Sequence, residues 1–371
     1  MQKYQQNQQL LKISQKINNV YEVESFLGEG AFAEVYRVRH RFLGRQAMKV
    51  FKRTNISLEE TEEILSEAIL LSRIGHPNIV RVFNADVLET SLGLCGFFTM
   101  EYVAGGTLDQ YWRSFDRQFV PLEQTVDIAR QICQGLTVAH SAAPPIIHRD
   151  IKPQNILIGY DGSGICLRLS DFGLAKRVNP MTLMASARGT LAFKAPEFLE
   201  RKDSTRTDIW AVGMTIYLLL TDQLPYSGMD EREFLSGRHW KRPVALPSRL
   251  NIDVDHALES ITMKALSIKP EDRYADAQEM LADLSSWRKG DPRTERPATP
   301  LSSNLKTALG ERSLLNKTKA EGMVDSAFKI ACEPGRLMEA ADLLEEAMNA
   351  APEYRHQYTY QLRLWRKGIS M

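Results

Sequence analysis

Glycine residues near the start of the chain form a motif that could bind a phosphate group. Gly28 and Gly30 lie between two stretches rich in β-branched and aromatic residues, and Ala33 and Val35 follow them. Because glycine has no Cβ, the backbone N–H groups of such a turn can approach phosphate oxygens closely. A pair of glycines between strands more often marks an ordinary β-hairpin, so the motif needs support from residues elsewhere in the chain.

A lysine and a glutamate further along the chain could form an ion pair. Lys49 lies in the next predicted strand, and Glu67 lies near the apolar stripe of a predicted helix over residues 58–74. A strand lysine is commonly a solvated edge residue, whereas a carboxylate beside a buried stripe is costly without a partner. Pairing Glu67 with Lys49 would satisfy both residues.

Two polar motifs in the middle of the chain each adjoin a predicted strand. The segment His148–Asn155 holds a carboxylate, a cation and an amide and precedes an apolar run. The segment Asp171–Gly173 follows another strand, and the segment Ala195–Glu197 closes the region downstream. Chance agreement of all these signals in this order is negligible, so they indicate one site.

The elements that must position these residues fall into two groups. Short strands broken by glycine occupy residues 21–50, and the predicted helix over 58–74 then interrupts the strands. Helical periodicity follows, notably over residues 122–141, 208–220 and 257–266. The sequence therefore predicts a small β-rich lobe followed by a larger α-rich lobe.

The motifs together resemble those of the eukaryotic-like, or Hanks-type, protein kinases, and the likeness runs from about Tyr21 to Trp287. The resemblance implies an α+β, bilobal protein kinase fold with ATP bound between the lobes. It also implies that the loop from Gly28 to Val35 covers the phosphates, that Lys49 holds the α- and β-phosphates, and that Glu67 orients Lys49.

The resemblance assigns the chemistry to the two polar motifs. Phosphoryl transfer requires mainly the positioning of reactants and the neutralisation of charge. Asp171 and Asn155 would offer oxygen ligands to Mg²⁺, and Asp150 would accept the proton of the attacking hydroxyl. Lys152 suits the γ-phosphate, and a cation at this position resembles Ser/Thr kinases rather than tyrosine kinases. Thr190 is expected to contact Asp150 and Lys152.

A set of largely apolar residues is implied to surround the adenine ring. Val35 and Ala47 would enclose the ring, Met100 would lie at the gate of the pocket, and Glu101 to Val103 would form the hinge. Ala33 stands where the family often has a third glycine, and we expect ATP binding to survive the added methyl group. The full set implied to bind the nucleotide is Gly28, Gly30, Ala33, Val35, Ala47, Lys49, Met100, Glu101 and Val103.

Further contacts are implied around the catalytic loop. Asp208 would brace the loop from within the large lobe, and Arg273 would pair with Glu197. His148 would stack with Phe172 as part of a spine that links the two lobes. For such residues, one contact would serve both the packing of the fold and the function.

Residues 174–194 contain candidate regulatory sites. Thr182 and Ser186 lie in this segment, and Ser186 occupies the place where related kinases carry an activating phosphate. Arg149, beside the catalytic Asp150, offers the bidentate cation that such a phosphate would need. The alternative is that these hydroxyl residues are unmodified turn residues.

Two other functions stay open at this stage. A pseudokinase scaffold would bind nucleotide without turnover, and a kinase-like enzyme could phosphorylate a small molecule. The complete catalytic set argues against the first, while Thr190 and the segment Ala195–Glu197, which build a protein-substrate platform, argue against the second.

Composition limits the compartment and the partners. The 371 residues carry 47 Lys+Arg against 46 Asp+Glu, which removes the broad positive field typical of proteins that bind nucleic acid or anionic membrane. The 4 cysteines are scattered and predict neither a disulfide framework nor a zinc site. No membrane anchor is visible in the sequence. We expect a cytoplasmic protein with protein substrates.

The organisation along the chain has four predicted parts. They are a polar leader over 1–20, a kinase domain over 21–288 with a small lobe at about 21–101 and a large lobe at about 104–288, a proline-bearing linker over 289–312, and a helical segment over 313–371. The last part weakly resembles one tetratricopeptide repeat, and a single repeat cannot bury a core. We therefore expect residues 314–368 to dock on the large lobe or to form a partner or dimer contact.

Overall fold

The structure, a computed structural model, covers most of the two predicted lobes. It describes residues 9–30, 33–54, 59, 69, 75–115, 119–161, 164–172, 191–200, 202–226, 236–237, 240, 242–289, 321–331, 333, 336–350, 358 and 365. Residues 59 and 69 are helical. The rest of the predicted helix over 58–74, and the predicted linker from residue 290 onward, lie outside the described residues.

A six-stranded antiparallel sheet forms the small lobe in the described part of the chain. Its strands are β1 (Lys16–Ile17), β2 (Tyr21–Glu29), β3 (Ala33–His40), β4 (Gly44–Thr54), β5 (Val82–Thr90) and β6 (Gly93–Glu101), in the spatial order β1-β2-β3-β4-β6-β5. Successive residues of a strand point to opposite faces of a sheet. Met48 and Val50 of β4 pack in a cluster on one face, here called the outer face, and Ala47 and Phe51 pack on the inner face. Lys49 therefore belongs to the inner face.

The segment before β2 packs on the outer face of the sheet. Leu10, Leu11 and Ile17 are buried in the same cluster as the outer-face residues of β4. The backbone N–H of Leu10 donates to Glu34 Oε2 at 2.9 Å, and that of Leu11 donates to Tyr36 Oη at 3.1 Å. The described part of the expected polar leader is thus tied to the sheet by its few apolar residues. The domain boundary at residue 21 stays a prediction.

In the described part of the chain, helices build the large lobe around two apolar clusters. They are α1 (Leu108–Arg113), α2 (Leu122–His140), α3 (Thr205–Thr221), α4 (Pro247–Leu250), α5 (His256–Ala265) and α6 (Ala277–Ser286), together with the hairpin β7 (Ile156–Asp161) and β8 (Gly164–Leu169). The helices predicted over 122–141, 208–220 and 257–266 are confirmed as α2, α3 and α5. Helix α3 begins earlier than its apolar residues suggest, because Ser204 caps it through a reciprocal pair with Thr207.

The chain forms two compact units, residues 1–295 and 296–371. In the second unit, α7 (residues 321–331) and α8 (Leu337–Ala350) share a small apolar cluster. Its buried members are Val324, Ala327, Ala340, Ala341, Leu344, Ala347 and Trp365. The apolar faces expected to need an outside partner are thus partly covered within the unit itself.

Among the helices that the structure describes, none has the length and apolar character needed to cross a bilayer.

Candidate active site

The β7–β8 hairpin brings the two polar motifs together. Its register pairs Ile156 with Leu169, so Asn155, just before β7, lies beside Ser170 and Asp171, just after β8. The backbone N–H and the hydroxyl of Ser170 both donate to the carbonyl oxygen of Asn155, at 3.0 and 2.9 Å. Asn155 and Asp171 are therefore held at the same end of the hairpin.

Asp150 lies in the loop between α2 and β7 and accepts bonds at both carboxylate oxygens. Lys152 Nζ lies 2.7 Å from Oδ2, and Lys194 Nζ lies 2.9 Å from Oδ1. Asn155 Nδ2 donates to Oδ2 and to the backbone oxygen of Asp150, each at 2.8 Å. Burial acts to raise the pKa of Asp150, but the ammonium groups of Lys194 and Lys152 outweigh burial and hold that pKa below its usual range.

Asp208 of α3 fixes the backbone of the same loop. Its Oδ2 accepts from the backbone N–H of His148 at 2.8 Å, and its Oδ1 accepts from that of Arg149 at 2.9 Å. His140 Nε2 lies 3.1 Å from Oδ2. Arg149 has φ of 67°, a left-handed conformation that a side chain rarely adopts, and these bonds stabilise it. The expected bracing role of Asp208 is confirmed.

Lys49 connects the small lobe to Asp171 in the large lobe. Its Nζ lies 2.7 Å from Asp171 Oδ1, and the two side chains are 16% and 19% exposed. Asp171 has φ of 65°, so its backbone also adopts the left-handed conformation. The expected partner of Lys49, Glu67, lies outside the described residues, and that pairing stays a prediction.

Asn155 and Asp171 have the chemistry of a magnesium site. Mg²⁺ prefers oxygen ligands and is commonly held by one or two protein groups together with substrate phosphates. The amide nitrogen of Asn155 donates to Asp150, so its side-chain oxygen is the atom left to act as a ligand. Asp171 offers a carboxylate whose Oδ1 is held by Lys49. These residues fit the predicted ion.

Three of the residues assigned to the adenine pocket, Val35, Ala47 and Met100, share one apolar cluster on the inner face of the sheet. Ala47 and Met100 are paired across β4 and β6, and both are buried. Val35 is partly buried in the same cluster, and so is Leu157 of β7, which comes from the large lobe. Sequence reasoning missed Leu157, although its place two residues after Asn155 in an apolar strand was a usable signal. The cluster therefore has walls from both lobes.

The glycines of the first motif do not owe their identity to packing. Among the described residues, a Cβ built on Gly28 would meet no atom within 4 Å, and one on Gly30 would meet the backbone oxygen of Ala33 at 3.8 Å. The N–H of Gly30 donates to that same oxygen at 2.8 Å. Space above these glycines suits a bulky ligand such as a triphosphate.

The predicted hinge is anchored to both lobes. Each carboxylate oxygen of Glu101 lies 3.3 Å from Arg168 Nε of β8. The backbone N–H of Glu101 donates to the backbone oxygen of Arg81 at 2.9 Å. Val103 is half-buried, and a Cβ on Gly159 would contact it at 3.5 Å. The segment from Glu101 to Val103 thus contacts the hairpin that carries the polar motifs.

Two further contacts expected from the resemblance are confirmed. The rings of His148 and Phe172 lie 4.3 Å apart between their centroids. Arg273 forms a bidentate pair with Glu197, with distances of 2.7 and 2.9 Å. Both contacts are buried, so they stabilise the catalytic loop and the segment after it.

Two further residues at the site were missed by sequence reasoning. Lys194 binds Asp150, and Asp203 Oδ2 lies 3.2 Å from Nε of Arg149. Lys194 directly precedes Ala195, in a run that is otherwise apolar, and this isolated charge was the available signal. Asp203 offers no signal, because its partner lies 54 positions away. The regulatory candidates Thr182 and Ser186, and the catalytic candidate Thr190, lie outside the described residues.

Comparison with known proteins identifies the same family. A family model described as the protein kinase domain matches residues 21–284. A probable serine/threonine-protein kinase, PknB of Lactococcus lactis, is 28% identical over 327 residues, which cover 85% of this chain and 49% of that protein. Serine/threonine-protein kinase PknB of Mycobacterium leprae is 31% identical over 283 residues, which cover 74% of this chain and 44% of that protein. The chain thus spans about half the length of these curated relatives.

Solved structures share the fold. The crystal structure of Rad53 1–466 in complex with AMP-PNP aligns with a TM-score of 0.55 and 27% identity, covering 70% of this chain and 63% of the crystallised one. The kinase domain of Mycobacterium tuberculosis PknI aligns with a TM-score of 0.55 and 24% identity over 74% of this chain and 98% of that domain, a likeness of fold alone. With the family model spanning most of its length, this chain belongs to the protein kinase family, among its bacterial eukaryotic-like, or Hanks-type, members.

Proposed function

We propose that this protein transfers the γ-phosphate of ATP to serine or threonine hydroxyls of other proteins, in a reaction that requires Mg²⁺. The observation that carries the proposal is the arrangement around Asp150. Its carboxylate is bonded to Lys152 and Asn155, Asn155 is joined to the strand end that bears Asp171, and Lys49 reaches Asp171 from the small lobe. Among the described residues, these groups, which phosphoryl transfer requires, are thus linked to one another.

Asp150 has the properties of the residue that orients the acceptor hydroxyl. Its carboxylate is ionised at neutral pH, because neighbouring ammonium groups keep its pKa low. An ionised carboxylate only accepts hydrogen bonds, so it can receive the proton of an approaching hydroxyl. Asn155 and Asp208 hold the loop, which fixes where that hydroxyl must lie.

The cations of the site neutralise phosphate charge. The proposal assigns contact with the α- and β-phosphates to Lys49 and contact with the phosphoryl group being transferred to Lys152. Asn155 and Asp171 would hold Mg²⁺, which would supply positive charge to neutralise the phosphate groups. The proposal has three further parts. Thr190 contacts Asp150, and Glu67 orients Lys49. The protein also phosphorylates itself at Ser186 or Thr182.

The acceptor class rests on Lys152 and on the relatives. A lysine two residues after the catalytic aspartate resembles serine/threonine kinases, and the curated relatives carry that name. Rad53 was crystallised with AMP-PNP, which supports ATP as the nucleotide for this chain as well. A pseudokinase scaffold is disfavoured, because Lys49, Asp150, Asn155 and Asp171 are all present and mutually arranged.

Phosphotransfer to a general protein substrate tests the proposal directly. The full chain, incubated with Mg²⁺ and radiolabelled ATP, should label protein on serine and threonine, whereas the variant Asp150→Asn should lose most of the labelling at unchanged nucleotide affinity. A loss of two to three orders of magnitude is usual when such a group is removed. Equal labelling by Asp150→Asn would exclude the assigned role, and labelling confined to tyrosine would exclude the acceptor class.

The compartment and the partners of the second unit are also proposals. Cys95, Cys133 and Cys166 are free thiols in the described part of the chain, which suits a reducing compartment such as the cytoplasm. Residues 314–368 are proposed to contact a partner, a second copy or the large lobe. Fractionation of cells that express a tagged full chain tests the compartment, and enrichment in the membrane pellet would contradict it.

A further inference from the structure

Lys194 is a buried cation in contact with the catalytic carboxylate. It lies between two short 3-10 turns, Leu191–Phe193 and Pro196–Glu200, and its side chain is 6% exposed. Its Nζ donates to Asp150 Oδ1 at 2.9 Å and to the backbone oxygen of Arg149 at 2.7 Å. Burying an ammonium group is costly unless it is paired, and both of these partners belong to the catalytic loop.

The two oxygens of Asp150 are held by different groups. Oδ2 is bound by Lys152 and Asn155, whereas Oδ1 is bound by Lys194 among the described residues. A carboxylate bound at a single oxygen can turn about its terminal torsion, while binding at both oxygens fixes its plane. Each oxygen has two lone pairs, so Oδ1 can still accept a proton from a substrate hydroxyl.

Lys194 also changes the charge of the site. Asp150 carries one negative charge, and Lys152 and Lys194 each carry a positive charge, so the three side chains together are cationic. Charge that develops on a transferring phosphoryl group is stabilised by fixed positive groups in a partly buried site. Lys194 can therefore fix the orientation of the Asp150 carboxylate and also add positive charge beside it.

We propose that Lys194 is a positioning residue for phosphoryl transfer, which sets the orientation of Asp150 and couples the segment 191–200 to the catalytic loop. This inference rests on the proposed function. The opposing interpretation is that Lys194 merely fills space beside Phe198, whose ring centroid lies 5.5 Å from Nζ. The two interpretations differ in the effect on kcat that they predict when the charge of Lys194 alone is removed.

Steady-state kinetics of the full chain separate the two interpretations. Lys194→Met keeps the length and the apolar stem but removes the ammonium group, and it should lower kcat by on the order of tenfold or more while the KM for ATP changes by less than about twofold. Lys194→Arg retains a cation and should restore most of kcat. Lys202→Met is the matched control, because the Lys202 side chain is 74% exposed and pairs with Glu200 at the surface.

A double-mutant cycle tests whether Lys194 acts through Asp150. In an Asp150→Asn background, Lys194→Met should have little further effect, whereas a residue that acts independently would lower activity by the same factor in both backgrounds. Thermal melting and the binding of a fluorescent ATP analogue establish that each variant is folded. If Lys194→Met fails to fold, Lys194→Gln takes its place, with the same expectation.

The outcomes are distinct for the inference and for the proposed function. A wild-type kcat in Lys194→Met or Lys194→Gln, with an active wild type, overturns the inference and leaves the function standing. Fully additive effects in the cycle also overturn it. A wild type with no phosphotransfer to any protein contradicts the proposed function, and the inference fails with it.

Discussion

Arg149 donates from Nε to Asp203 Oδ2 at 3.2 Å, and its Nη1 donates to the backbone oxygen of Ile147 at 2.9 Å. The cation expected to bind an activating phosphate therefore already faces a carboxylate of its own chain. A phosphate on Ser186 would have to share Arg149 with Asp203 or displace it. Because a phosphate carries more charge than a carboxylate and offers three acceptor oxygens, we expect the phosphate to compete successfully.

The first prediction concerns the phosphorylation sites. Ser186→Ala should lower activity toward other proteins, because Arg149 then has no phosphate to bind, while nucleotide affinity should change little. Mass spectrometry of the active wild type should find phosphate on Ser186 or Thr182. Full activity with an unmodified segment would show that this segment needs no phosphate.

The second prediction concerns Asp203. Asp203→Asn removes the competing carboxylate, so activity should depend more strongly on phosphorylation of the segment. After phosphatase treatment, the fractional loss of activity should be larger in Asp203→Asn than in wild type. Glu200→Gln is the control, since Glu200 is 62% exposed and pairs with Lys202 instead. An equal loss in all three proteins would show that Asp203 does not compete.

The third prediction concerns Lys49. Lys49→Met removes the ammonium group that contacts Asp171 at 2.7 Å, and it should lower kcat/KM by about two to three orders of magnitude. Arg45→Met, on the same strand, removes an exposed cation that pairs with Glu24 and should leave kcat/KM unchanged. Kinetics at several ATP concentrations measure both. Comparable activity in the two variants would remove Lys49 from the site.

The fourth prediction concerns acid stability and Asp208. Burial acts to raise the pKa of this carboxyl, but the hydrogen bond and charge of His140 outweigh burial, so the pKa lies below its usual value. Because the pKa is lower in the folded state, the ionised carboxylate stabilises the folded protein at pH values above the unfolded pKa of about 3.9. This stabilisation is lost as the pH falls from the unfolded pKa through the lower folded pKa. Asp208→Asn should cost about 3 kcal/mol at neutral pH. The difference in free energy of unfolding should shrink below about pH 4. Urea titrations of wild type and Asp208→Asn at pH values from about 3 to about 7 measure this difference in free energy of unfolding. A difference that does not change with pH would contradict the lowered pKa of Asp208.

The fifth prediction concerns the segment before β2. Leu11 is fully buried, so Leu11→Ala should lower the free energy of unfolding by about 3 kcal/mol. Ile13→Ala is the control, because Ile13 is 53% exposed and should cost less than about 0.5 kcal/mol. Urea unfolding of the full chain measures both values. Equal values would mean that the segment does not contribute to the stability of the small lobe.

The site was predictable from sequence where its residues occur in short motifs. Asn155 and Asp171 each lie next to an apolar strand, and pairing of these strands is enough to bring the two side chains together. The fold was predictable where periodicity is strong, as in α2. Lys194 and Asp203 could not be placed, because their partners are fixed by the tertiary fold over separations of 44 and 54 residues.

Polar composition was misleading at the start of the chain. The segment before β2 is rich in glutamine and asparagine, which favours a solvated leader. Leu10 and Leu11 are nevertheless buried, because the outer face of the sheet offers an apolar cluster and Glu34 accepts a hydrogen bond from the buried backbone N–H of Leu10. Two adjacent apolar residues form no periodic pattern in a sequence. Their burial becomes evident only when the sheet surface that they contact is known.

The two-faced packing of β4 restricts how the protein can diverge in evolution. Met48 and Val50 pack in the outer cluster, while Ala47 packs on the inner face and Lys49 contacts Asp171, so successive residues of the strand have different partners. Gain or loss of a single codon within this strand would exchange the two sets and damage both at once. Lineages of this protein should therefore accumulate substitutions in β4 but keep its length, and length variation should appear instead at the exposed turn around Phe42, which is 81% exposed.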